Sequence, residues 1–116
     1  MPMKNISQIK LSITEQNALL EMKESLAAIL PGSKIILYGS KARGDSEKES
    51  DIDLFILLDV AVTGAVKDRI RALKYDVELK YDVVISVIIE NSATWQSALA
   101  RAMPLHQNID RDGVAL

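Results

Sequence analysis

The chain contains no cysteine and a single histidine, His106. The first absence excludes disulfides, zinc–thiolate centres and thiol catalysis, and it fits a reducing compartment such as the cytoplasm. The second excludes a histidine-rich metal site. Aromatic residues are scarce, at 4%. No apolar run reaches the ~20 residues that cross a bilayer, and the opening MPMKNISQIK lacks the apolar stretch of a secretion signal. Positive charge is not in excess either. With a formal charge of −2, nothing electrostatic favours a nucleic-acid backbone as ligand. Chemistry here must rely on carboxylates, hydroxyls, lysine or arginine.

What is present is ordinary for a globular domain: 48% hydrophobic and 26% charged residues in 116. The expectation is one domain over 1–116, with 1–11 as a loosely ordered lead-in. Ser12 and Glu15 have capping-box spacing, and Leu19, Met22, Leu26, Ile29 and Leu30 recur at helical intervals. They predict a helix over 13–30, stopped by Pro31-Gly32. Lys34 to Tyr38 reads as a short strand ending at Gly39-Ser40. Residues 40–50 read as one helical turn, closed by Gly44, followed by a charged loop. Asp51 to Leu58 is the second strand, and Val62, Val66, Ile70, Leu73 and Val77 mark an amphipathic helix. Asp82 to Ile89 is the third strand, and 92–103 a further helix carrying Trp95 and Leu99. Pro104 opens a final helix that ends before Gly113. The order predicts an α+β (α/β) domain, a small mixed sheet flanked by helices. Strand order is not legible.

The stretch LYGSKARGDSEKESDIDLFILLD, residues 37–59, carries the chemistry. Side chains two apart on a strand share a face, so Asp51 and Asp53 point one way while Ile52, Leu54, Ile56 and Leu58 point the other. Two carboxylates on one face repel unless a cation sits with them. Hard oxygen ligands at this spacing suit Mg²⁺, which leaves further positions for water and phosphate. A lone Asp-x-Asp at a strand start is more often just solvated, but Gly39-Ser40 lies ten residues upstream, where a strand enters a turn. Glycine there permits close approach of an anion to backbone N–H groups, and the serine hydroxyl adds a donor. Arg43 suits phosphate through its planar fork, whereas Lys41 reads as a surface residue. Tyr38, Tyr75 and Tyr81 read as packing residues with a wet hydroxyl, and Trp95 as the anchor of its helix.

Gly39-Ser40, ten residues, then Asp51-Ile52-Asp53 resembles the signature of the DNA polymerase beta-type nucleotidyltransferase superfamily. The fuller text, GSKARG then SDIDL, is similar to its minimal nucleotidyltransferase (MNT) branch, and the closing PLHQNIDRDGVAL resembles that branch's last segment. Asp112 stands there where glutamate is the commoner residue, and the segment reads as structural. The resemblance implies that Gly39 and Ser40 hold the phosphates of a nucleoside triphosphate, with Arg43 beside them. It implies that Asp51 and Asp53 ligate two Mg²⁺ ions and that a third carboxylate comes from a neighbouring strand. Asp82 is the choice for that acid, with Asp76, Glu78 and Glu90 as the other candidates. It further implies an antitoxin that transfers AMP from ATP to a tyrosine of a HEPN ribonuclease toxin. The roughly 60 residues after the aspartates are needed to finish the sheet, so the acceptor is expected from a partner chain or a homodimer. The rival expectation is a non-catalytic antitoxin, a binding module that covers its HEPN partner. A small-molecule acceptor at a dimer interface is a further alternative.

Overall fold

In a computed structural model, residues 3–44 and 51–116 are described. The expected charged loop at 45–50 lies outside them. The elements are strand β1 (Lys4–Asn5), a 3₁₀ turn (Ile6–Gln8), helix α1 (Ile13–Ile29), strand β2 (Lys34–Tyr38), helix α2 (Ser40–Arg43) and strand β3 (Ile52–Leu58). Helix α3 (Gly64–Tyr81), strand β4 (Ile85–Asn91), helices α4 (Ser92–Trp95), α5 (Ala98–Arg101) and α6 (Pro104–Asp112) and strand β5 (Val114–Ala115) follow. They form a mixed five-stranded sheet with helices, in the strand order β1-β5-β2-β3-β4. β2 runs antiparallel to β3 and β5, whereas β3 and β4 are parallel.

The period-two pattern of β3 divides the protein into layers. Ile52, Leu54, Ile56 and Leu58 are buried together with Leu19, Met22 and Leu26 of α1 and Ile70 and Val77 of α3. Phe55 and Leu57 lie on the other face with Trp95 and with Ile109 of α6. The Trp95 ring sits 4.3 Å from Phe55 and stacks on His106 at 4.2 Å, so Trp95 is an anchor between layers. Strand β3 is thus covered on both sides along most of its length, which its unbroken apolar run requires.

Local signals fix the helix ends. The Ser12 hydroxyl accepts from the Glu15 N–H at 3.0 Å, while the Glu15 carboxylate accepts from the Ser12 N–H at 3.0 Å. That is the capping box, and α1 starts at its expected place. The expected helix over 92–103 is instead two short helices. Asn91 caps α4 by accepting from Ala93 and Thr94, and Ser97 caps a fresh start by accepting from Ala100. The expected loose lead-in contains β1, which pairs with β5, a strand that went unforeseen because two residues show no alternation.

Candidate active site

Sheet register assembles the site. Tyr38 is the cross-strand neighbour of Asp53 on β2, and Ser86 is its neighbour on β4. Paired residues share a face, so Tyr38, Asp53 and Ser86 form a row across the sheet. Asp51, one pleat earlier, is exposed, and Asp53 is half-buried. This is the face that carries Phe55 and Leu57 deeper in, so the two aspartates do point together as the alternation requires.

The Gly39–Ser40 turn closes over the end of that row. Gly39 adopts φ 77°, a left-handed value that side chains disfavour, and a Cβ at this position would collide with the Asp53 carboxylate. The two halves of the signature therefore touch. The Arg43 N–H donates to the Gly39 carbonyl at 3.1 Å and the Gly44 N–H to Ser40 at 2.9 Å, closing one helical turn that Gly44 ends at φ 82°. Lys41 is not a surface residue. It is 4% exposed and pairs with Glu15 of α1 at 2.5 Å, because the turn presses its inner side against that helix. This pair ties the Gly39–Ser40 turn to α1.

Electrostatics follow from the packing. Burial pushes the Asp53 carboxyl above the usual carboxylate range, the Asp51 charge pushes it the same way, and the Arg43 guanidinium draws it partly back. Burial likewise raises the Tyr38 phenol, with the Asp53 charge adding to it. Arg43 also acts on Asp112. The Arg111 guanidinium hydrogen-bonds the Asp112 carboxylate at 3.1 and 2.9 Å and holds it below its usual range, against an opposing effect of burial. The charges of Arg111, Arg43 and Lys4 add to that lowering. Register explains the proximity. Val114 pairs with Leu37, so the residues before Val114 run beside Tyr38 and Gly39. The closing segment, expected to be structural only, borders the site.

Asp82 is not where the sequence reading put it. Helix α3 runs on to Tyr81, and Asp82 caps its C-terminus with φ 53° and ψ 51°, donating its N–H to the Glu78 carbonyl. The strand begins three residues later, at Ile85. The apolar run Val83–Ile89 hid the turn, since a left-handed cap at aspartate leaves no pattern. Among the described residues no three acidic or histidine side chains gather in a metal-holding group, so Asp82 does not join Asp51 and Asp53. Nor do the other candidates. Glu78 accepts from the Ile85 N–H at 2.9 Å and pairs with Lys74 at 3.2 Å, a structural role, and Glu90 is four residues beyond Ser86 on β4. The residue beside Asp53 on the neighbouring strand is Ser86.

A family model described as “Nucleotidyltransferase domain” matches residues 19–106, and that span takes in the turn, both aspartates and the β3–β4 pair. The chain belongs to the nucleotidyltransferase family. “Putative protein adenylyltransferase MJ0604” of Methanocaldococcus jannaschii is 35% identical over 106 residues, covering 90% of this chain and 99% of that protein. “Putative protein adenylyltransferase MJ0141” of the same organism is 41% identical over 71 residues, 60% of this chain and 72% of that one. Among solved structures, a toxin–antitoxin crystallised with AMP-PNP superposes with a TM-score of 0.58 at 19% identity, covering 86% of this chain and 70% of its own. A mutant of the toxin–antitoxin MntA-HpeT superposes with the same score and identity, over 92% and 72%. At such identities the nucleotidyltransferase shares their fold. No helix among its described residues is long and apolar enough to cross a membrane.

Proposed function

We propose that this nucleotidyltransferase is a Mg²⁺-dependent protein adenylyltransferase, an antitoxin that transfers AMP from ATP to a tyrosine of a HEPN ribonuclease toxin. The observation that carries the reading is the contact between the Gly39 turn and the Asp53 carboxylate, which joins an anion-accepting turn to an acidic pair. The two M. jannaschii relatives, named as protein adenylyltransferases, support AMP as the transferred group. The toxin–antitoxin fold neighbours support the partner.

The acidic pair fits a divalent cation. Asp53 is half-buried beside Asp51, and a carboxyl pushed towards neutrality by burial and by a like charge is one that a cation would re-ionise. Asp51 and Asp53 would hold Mg²⁺, which when bound neutralises phosphate charge and makes an acceptor hydroxyl more acidic. With Asp82 outside the site, Asp51 and Asp53 are the side chains that would hold the ion, a small set of the kind that suits Mg²⁺ bound together with phosphate and water. Gly39 and Ser40 offer backbone N–H groups at the start of a turn, where no i−4 carbonyl competes for them. Arg43, whose charge already acts on Asp53, would offer its guanidinium to the phosphates. The acceptor oxygen attacks the α-phosphorus, the bond to the bridging oxygen breaks, and pyrophosphate leaves.

A second reading is a non-catalytic antitoxin that works by contact. The observation that favours it is Ser86, a neutral residue beside Asp53 on the adjoining strand. Incubation of the HEPN partner with ATP labelled at the α-phosphate separates the two. The adenylyltransferase reading predicts label on a partner tyrosine, lost in Asp53→Asn. Neutralisation by Asp53→Asn at wild-type strength, with no label, would establish the contact reading instead.

A further inference from the structure

Strand β4 is one edge of the sheet, the two-residue β1 being the other. Its pairing with β3 decides which backbone groups face outward. The Ile52 N–H donates to the Val84 carbonyl, so Val84, Ser86, Ile88 and Glu90 turn their amides towards β3. Ile85, Val87 and Ile89 turn theirs to the open side. Among the described residues only the first of these is covered: the Ile85 N–H donates to Glu78 and its carbonyl accepts from Lys74 at 3.1 Å. This seven-residue edge, apolar at Ile85, Val87, Ile88 and Ile89, is a template for another strand; such edges are ordinarily blunted by proline, charge or a bulge, and the charge here, Glu90, comes only near its end. Among the described residues the covering stops after Ile85.

Beside that edge runs a groove of about 710 Å³ between β4 and α3, lined by Lys67, Arg71, Lys74 and Tyr75. Three cations line it, and no carboxylate does so among the described residues. Glu78 partly offsets Lys74, and Asp68 lies 3.6 Å from Arg71 on the exposed side. Tyr75, expected to pack, is 61% exposed, and Val84 at the start of the edge is 57% exposed. A second copy of the chain would set lysine and arginine against their own kind, so the charge favours an acidic occupant. The groove lies on the α3 side of the sheet, opposite the face of Asp53, but the edge strand beside it runs past Ser86, the cross-strand neighbour of Asp53.

We propose that the β4 edge docks an extended, acidic segment of the protein acceptor, which adds a strand to the sheet and delivers its hydroxyl end beside Asp53. This rests on the protein adenylyltransferase reading for the destination of the hydroxyl, but docking is measurable without it. Outward amides at Val87 and Ile89 supply main-chain hydrogen bonds, and Lys67, Arg71 and Lys74 supply the preference for acid.

Fluorescence anisotropy without ATP tests it, using a short fluorescein-labelled peptide of alternating Glu and Val with a terminal Tyr, and its Lys counterpart. The acidic peptide binds and the Lys peptide does not. Lys67→Glu with Arg71→Glu weakens binding by roughly tenfold or more, as loss of complementary charge does, while ATP binding stays unchanged. Val87→Pro removes an outward N–H without touching the β3 ladder and has the same effect. If that variant fails to fold, the exposed charge variants still decide. Equal binding of both peptides, no binding of the acidic one, or full affinity in Lys67→Glu/Arg71→Glu would overturn the proposal. So would a dimer, seen by sedimentation, that Val87→Pro dissociates. Docking without AMP transfer would leave this inference standing and remove the catalytic one.

Discussion

Asp53 is held against its own electrostatic preference. It is half-buried, beside a second carboxylate, and under a glycine turn that leaves no room for a Cβ. A carboxyl with a raised folded value loses stability as pH rises and it ionises, so its neutral amide should be the better-packed residue in metal-free protein. Asp53→Asn should therefore raise Tm at neutral pH without Mg²⁺. It should also cut AMP transfer by more than about 100-fold, the scale on which loss of a charge-stabilising group acts. Gly39→Ala combines a left-handed backbone with a collision at Asp53. It should cost about 1–3 kcal/mol of stability in urea unfolding and displace the carboxylate, so activity falls along with Tm. The aspartates were legible in the sequence because strand periodicity is strict and their partners Ile52 and Leu54 are plainly apolar. Ser86 and Tyr38 were not, since their role depends on register, and register is written in no local pattern.

At the scale of elements, α2 is fixed to α1 by the buried Lys41–Glu15 pair. Burial would raise Glu15, but hydrogen bonds from Lys41 and Ser12 and the Lys41 charge together leave its carboxyl below the ordinary value. The sign follows: a depressed carboxylate stabilises the fold above its unfolded value, and the contribution is lost as pH falls through the folded value. Lys41→Met should destabilise by about 2 kcal/mol at pH 7, discounted from a fully buried pair because Glu15 stays partly wet. In urea unfolding the gap between wild type and variant should narrow below the Glu15 range. A gap that is constant with pH would show that Lys41 contributes packing alone. Lys41 looked like a surface residue because charge and a turn position are all that its sequence offers. Asp82 was misplaced for a related reason: a helix that continues into an apolar strand through one left-handed aspartate has no visible break. The capping box of α1 was legible because both its partners lie three residues apart.

Over the whole molecule, the closing segment returns to the site. Strand β5 slots between β1 and β2, and this brings Asp112 into the field of Arg43. Asp112→Asn removes a negative charge that offsets Arg43, so it should lower the KM for ATP several-fold with little change in kcat if Arg43 meets the phosphates. A fall in kcat would place Asp112 nearer to the chemistry. The layered α+β fold was legible from the order of apolar runs, whereas β1 and β5 escaped because two-residue strands exist only through their partners. All of these parts converge on one claim, that the chain moves AMP onto a protein. The most direct test is mass analysis, intact and after peptide digestion, of the proposed HEPN partner following incubation with ATP, Mg²⁺ and either wild type or Asp53→Asn. A mass gain of one AMP on a tyrosine, with wild type only, is the predicted result. An unmodified partner that is nonetheless silenced by both proteins would contradict it.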